Sequence, residues 1–318
     1  MEQQLAQYGK LLLSYLPRFD ALCMLALLLC LTALPVLAVF GQSLAGSSGR
    51  SAYDKCARQL GHLGSLLGLV ATCVGGIALA VQYWSLPAPD MKNFAARENF
   101  LPLLAAGGWL CVVIATLLNC LYTSLWQSRR ATSGGHHFLG FSAALAAAAA
   151  VYAFLLYLHS RAAAPVPASA DMLALFLPGT EEVFWTGIIC APFAALALAG
   201  GYGALWLLLR RVIDDYGRDH YNLVVPWCAG WARNGWLLLW LFLVCRAGRR
   251  IFLHEAAGGV WDWMIFLPDG IGLLVLLPPG LWWMGISRST APLRDKVSAF
   301  IAPVWATGCL ALLDMGLR

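Results

Sequence analysis

Windows of about 20 consecutive apolar residues recur along the whole chain, and no other feature constrains its fold as strongly. A helix of that length crosses roughly 30 Å of hydrocarbon. The chain of 318 residues is 60% apolar and only 12% charged, and it has no long polar segment that could fold as a separate soluble domain. We therefore predict an all-α, polytopic bundle of transmembrane helices in a lipid bilayer, with one domain over residues 20–318.

About eight membrane spans are predicted from these windows. They lie at 20–42, 60–84, 100–126, 138–159, 183–209, 227–246, 264–286 and 298–316. Residues 1–19 are predicted to form a short interfacial helix, because they lack the basic start and cleavage site of a secretory signal. An even number of spans puts both termini on one side. Slightly more basic residues fall inside when the first loop is cytoplasmic, which favours both termini outside, in a bacterial inner membrane.

Cysteine usage and charge exclude several function classes. The ten cysteines are scattered, mostly within apolar spans, and no Cys-x-x-Cys pair occurs. This pattern argues against iron–sulfur clusters, structural zinc and covalently attached haem c. The net charge of +5 is spread over loops, so we do not expect nucleic acid as a partner.

Three motifs occur in order along the first 220 residues. They are the second-span series Tyr53-Asp54-Lys55, Gly61-His62-Leu63-Gly64, Gly75-Gly76-Ile77 and Val81-Gln82-Tyr83-Trp84, the pair His136-His137 that opens the fourth span, and Gly217-Arg218-Asp219 after the fifth. Together they resemble subunit I of cytochrome bd quinol oxidase. The resemblance implies a membrane subunit of a respiratory complex that contacts quinone or quinol and assembles with other redox subunits.

The sequence departs from that family at its haem ligands. The family uses a histidine in its first helix, a histidine at the start of its fifth and a later methionine. Here the first span has no histidine, the fifth begins Val183-Phe184-Trp185-Thr186, and the third lacks the family's proton-uptake carboxylates. A protein without these haem ligands and carboxylates cannot reduce oxygen by the family's mechanism. The resemblance therefore implies a degenerate relative that is not an oxidase by itself, and membership of a quinol-linked enzyme complex stays open.

A quinone site is predicted beyond the sixth span. The family binds quinol there through a lysine and a glutamate five residues apart, and this chain has Arg250 and Glu255 at the corresponding place. The resemblance implies that the cation holds a quinol oxygen while the carboxylate accepts a proton. His254, Trp261 and Asp269 are further candidates on the same side.

An ordinary juxtamembrane segment explains the same residues without a ligand. A carboxylate such as Asp269 is costly within an apolar span unless it is paired, so a salt bridge to Arg246, Arg249 or Arg250 is the alternative. Arg233 lies toward the inner face of the sixth span, too far away for that role. Tryptophans near span ends, Trp261 included, equally fit an aromatic belt.

Two histidines are candidates for a b-type haem. Such a haem needs two axial ligands at similar depth on facing helices, and His62 with His137 is the combination that fits the inner half. Both lie at helix ends, where histidines are commonly interfacial, so haem b is not the favoured interpretation.

Two other function classes stay open. One is a structural membrane anchor without a redox site. The other is a small-molecule or ion transporter, whose pathway would use Asp269, Arg233 and the helix breaks at Pro268, Pro278 and Pro279.

Overall fold

All regular secondary structure in the described part of the chain is helical, which confirms the all-α prediction. The computed structural model describes residues 2–84, 97–126, 133–162, 176–178, 182–256 and 263–316. The helices are α1 (Glu2–Ser48), α2 (Ser51–Tyr83), α3 (Arg97–Ser124), α4 (Ser133–Ala162), α5 (Glu182–Asp214), α6 (Arg218–Ala256), α7 (Trp263–Val275), α8 (Leu277–Arg288) and α9 (Lys296–Gly316). A 3₁₀ turn at Pro292–Arg294 precedes α9.

Six helical segments are long and apolar enough to cross a membrane. They are Ala21–Ser48, Ser51–Tyr83, Asn99–Ser124, Gly134–Arg161, Phe184–Asp214 and Asp269–Arg288. These coincide with predicted spans one to five and seven, and they make the chain an integral membrane protein with about six candidate spans. The predicted sixth span lies within α6, where Arg233 and Asn234 reduce the hydropathy, and the eighth lies within α9. Eight crossings stay a prediction.

The first helix lies at the centre of the bundle. Its candidate span from Ala21 is the most buried of the six, and the helix packs against α2, α4 and α5. Leu34, Leu37 and Ala38 are inaccessible to solvent. The predicted interfacial segment 1–19 is not separated by a break, because α1 continues from Glu2 to Ser48. Its position at the membrane interface stays a prediction.

Helices α5 and α6 approach each other at two glycines. A Cβ atom at Gly200 would lie 2.5 Å from the backbone nitrogen of Ala232, and one at Gly235 would lie 2.7 Å from the backbone nitrogen of Ala197. Only glycine permits these backbones to come so close, as is usual where transmembrane helices pack. The interior between α5 and α6 is therefore closed.

The predicted seventh span is interrupted by prolines. Helix α7 ends at Val275 and α8 begins at Leu277, followed by Pro278 and Pro279. Pro279 has no N–H for the carbonyl oxygen of Val275 four residues earlier, and Trp305 Nε1 donates to that oxygen instead at 3.0 Å. Trp236 Nε1 donates to the Leu276 oxygen at 2.6 Å. Tryptophans thus satisfy backbone groups at the break, which is needed in a lipid environment.

Candidate functional site

An ion pair joins the last turns of α6 to the middle of α7, on the side of the bundle that we predict to lie outside, and we call it the outer ion pair. Arg250 Nη1 donates to both carboxylate oxygens of Asp269, at 3.0 and 2.8 Å. This confirms the predicted salt bridge and selects Arg250 from the three arginines. Arg233 instead donates to Asn234 and Ser287. This agrees with the prediction that Arg233 lies too far from Asp269 to pair with it.

The outer ion pair leaves hydrogen-bonding capacity unused. Both bonds to Asp269 use Nη1, and within the described ranges Nε and Nη2 of Arg250 have no hydrogen-bond partner. The Arg250 side chain is 37% exposed, whereas that of Asp269 is 17% exposed. The carboxylate therefore fixes the guanidinium while other N–H groups remain able to donate to a ligand.

The remaining quinone candidates lie on a helix rather than in a loop. Helix α6 continues to Ala256 instead of ending at 246, so Arg250 and Glu255 share its last turns. His254 is half-buried and lies four residues after Arg250, on the same face. Glu255 is exposed and is rotated by about 140° around the helix from Arg250. Trp261 lies outside the described residues.

The two haem candidates lie on α2 and α4. His62 is exposed and within electrostatic range of Arg58, Arg210 and Asp214. His137 is half-buried near the start of α4. Haem ligation by this pair stays an interpretation that is not favoured.

His136 occupies a buried pocket that the sequence did not indicate. Its Nε2 lies 2.7 Å from the carbonyl oxygen of Tyr122, and its Nδ1 lies 3.0 Å from Gln42 Oε1. A carbonyl oxygen only accepts, so Nε2 carries a hydrogen. The imidazole also stacks on the Tyr122 ring at 4.1 Å and meets the edge of Trp126. These contacts tie α4 to α1 and α3.

A second group of polar side chains joins α2, α5 and α6 at the opposite end of the bundle. We call Gln59, Arg210, Asp214 and His220 the inner polar cluster. Gln59 Nε2 donates to Asp214 at 2.6 Å, and Arg210 donates to both carboxylate oxygens of Asp214 at 3.0 and 2.8 Å. Gln59 is 3% exposed and His220 is 6% exposed.

The hydrogen-bond pattern assigns the tautomer of His220. Gln59 gives its amide N–H to the Asp214 carboxylate, so Oε1 is the atom that faces His220 Nε2 at 3.4 Å. His220 Nε2 therefore carries the hydrogen. Burial lowers the pKa of His220 to about 4, and the charge of Lys55 acts in the same direction while Asp214 opposes it. His220 is neutral at pH 7.

A tight turn brings His220 to this cluster. The chain reverses between α5 and α6 at residues 215–217, where Gly217 has φ +84°, a conformation that favours glycine. In the sequence, Gly217 is recognisable only as part of the Gly217-Arg218-Asp219 motif. A signal for the cluster was present in the combination of this turn, a histidine three residues after Gly217, and Gln59 at the start of the second apolar segment.

Among the described residues, no group of three or more histidine, cysteine, aspartate or glutamate side chains could hold a metal ion.

Comparisons with protein-family models, with curated proteins and with solved structures found no match. The resemblance to cytochrome bd subunit I therefore depends only on the motifs of the sequence itself.

Proposed function

We propose that this protein is a membrane subunit of an electron-transfer complex that contacts quinone or quinol at the outer ion pair. The observation that carries the proposal is the partly exposed guanidinium of Arg250, held by Asp269 at the edge of an apolar helix bundle. Phe252 and Leu253 beside it are exposed. A quinone needs such a place, because its head group accepts hydrogen bonds while its tail stays among apolar groups.

The chain's own residues would have separate tasks at this site. Arg250 would donate an N–H to a ring oxygen of the head group, and Asp269 would keep the guanidinium in place. His254, on the same face of α6, is the candidate to hold a proton. The quinone would supply the redox chemistry, and electrons would pass to or from another chain, because this sequence lacks the family's haem ligands.

A structural anchor is the second candidate. The close approach of α5 and α6, together with the fully buried Trp236 and Trp283, favours a closed scaffold. In that case the complex would assemble on this chain without a ligand at Arg250. A transporter has less support, because Arg233 and Asp269 are engaged in local bonds and the bundle is closed at α5 and α6.

A quinone analogue tests the proposal. The complex would be purified in native lipid, and the affinity of a photoreactive quinone analogue would be measured for wild type, Arg250→Gln and Arg249→Gln. Arg249 is an exposed neighbour on α6 and is the matched control. We expect about tenfold weaker binding for Arg250→Gln, the effect of losing one charge-assisted hydrogen bond. Equal binding by an assembled Arg250→Gln complex would favour the anchor.

A further inference from the structure

One face of α2 changes from basic to apolar along its length. Lys55, Arg58, His62, Leu66 and Leu69 are spaced by three or four residues, so they share a face of the helix. All except the half-buried Arg58 are exposed. The basic part lies at the start of α2, the end of the bundle that we predict to face the cytoplasm, and the apolar part continues toward the middle of the candidate span.

Helix α5 provides the second wall beside this face. Arg210 and Trp206 are one helical turn apart, and the Arg210 guanidinium lies 5.6 Å from the Trp206 ring centre. Trp206 Nε1 donates to the backbone oxygen of Gln59 at 3.1 Å, which holds this wall against α2. Leu209 next to Arg210 is exposed. His62 on α2 lies within electrostatic range of Arg210 on α5, so the surface where the two helices meet has a basic end and exposed leucines on both sides, and we call this surface the groove.

Among the residues that the structure describes, only one of the three basic side chains at the basic end, Arg210, is paired with a carboxylate. Asp214 accepts two bonds from Arg210 and compensates its charge. Arg58 has no ion pair or hydrogen bond to any residue that the structure describes, although it lies within electrostatic range of His62. Lys55 is exposed, with its ammonium 4.7 Å from the Tyr216 ring centre. Arg58 and Lys55 thus remain without an ion pair to any described residue at the mouth of the groove.

We propose that this groove between α2 and α5 binds an anionic phospholipid, with its phosphate at Arg58 and Lys55 and an acyl chain along Leu66 and Leu69. Basic residues at the inner membrane surface attract anionic head groups, and basic pockets between transmembrane helices select them. The apolar residues on the same face supply the surface that a free phosphate ion would not use. The site is independent of the outer ion pair.

Native mass spectrometry of the full chain in detergent micelles tests this proposal. Phosphatidylglycerol and phosphatidylcholine with identical acyl chains would be titrated against wild type, Arg58→Gln and Arg288→Gln. Arg288 is an exposed basic residue at the end of α8 and serves as the control. We expect wild type and Arg288→Gln to prefer phosphatidylglycerol, and Arg58→Gln to lose about fivefold in affinity for it.

Three outcomes would overturn the assignment. Equal binding of the two lipids by wild type would remove the charge preference, and an unchanged preference in Arg58→Gln would place the lipid elsewhere. Displacement of the lipid by glycerol 3-phosphate at equal concentration would show a site for a free phosphate ester. Lys55→Gln is a second variant, whose smaller loss of preference tests the same face if Arg58→Gln does not fold.

Discussion

The outer ion pair and the inner polar cluster are both built on an arginine and an aspartate, yet their surroundings differ. In the inner cluster Asp214 accepts from Gln59 as well as Arg210, and Gln59 in turn contacts the buried His220. In the outer pair Asp269 is bonded by Arg250 through Nη1, and the guanidinium remains partly exposed. An arginine–aspartate pair thus stabilises the packing of helices where the surrounding polar groups are all hydrogen-bonded. The same type of pair can bind a ligand where N–H groups of the arginine have no partner.

The largest expected effect is the pH dependence of the inner cluster. The pKa of His220 is lowered from its ordinary value near 6.5 to about 4 in the folded chain. The associated stability is therefore fully present above pH 6.5 and is lost as the pH falls toward 4. The loss is on the order of 3 kcal/mol. Thermal unfolding in detergent at pH 7.5 and pH 4.5 would measure it, and His220→Asn should reduce the difference.

The next effect tests whether the inner cluster is structural. Gln59→Leu removes a donor to Asp214 and leaves the Nε2–H of His220 facing an apolar side chain. Because Gln59 is buried, we expect a loss of about 2 kcal/mol in unfolding free energy. The midpoint of denaturant unfolding would report it. Unchanged stability would mean that the cluster does not hold α2, α5 and α6 together.

The smallest effect on stability is expected at the outer ion pair. Asp269→Asn removes the charge that faces Arg250, but the guanidinium is partly exposed, so we expect a loss below about 1 kcal/mol. The same variant should weaken binding of the quinone analogue, because the guanidinium loses its fixed position. A large loss of stability without a change in analogue binding would make the outer pair structural and erase the difference from the inner cluster.

The sequence predicts a residue's partner well where an energetic rule leaves few choices. Asp269 lies within an apolar span, where an unpaired carboxylate is costly. The end of the preceding helix carries three arginines on its predicted side, so a salt bridge with one of them was expected, and Arg250 forms it. The apolar windows likewise predicted the positions of all six candidate spans. Neither inference needs the packing of one helix against another.

The buried polar contacts could not be predicted because they depend on how helices are rotated and shifted. Gln59 meets His220 only through the packing of α2 with α5 and α6. His136 and His137 are adjacent in sequence, yet His136 is the buried one, since one residue turns a helix by about 100°. Trp283 lies near the end of the predicted seventh span, where a tryptophan fits an aromatic belt, but it is fully buried beside Trp236.

A reduced-minus-oxidised visible spectrum, with pyridine haemochrome analysis, tests most directly the claim that this chain is part of an electron-transfer complex and carries no haem of its own. The chain would be measured with its partners and again after they are removed. We predict that redox subunits co-purify and that their spectrum is absent from the isolated chain. A b-type haem that stays with the isolated chain would contradict the account, and His62 and His137 would then be the first residues to substitute.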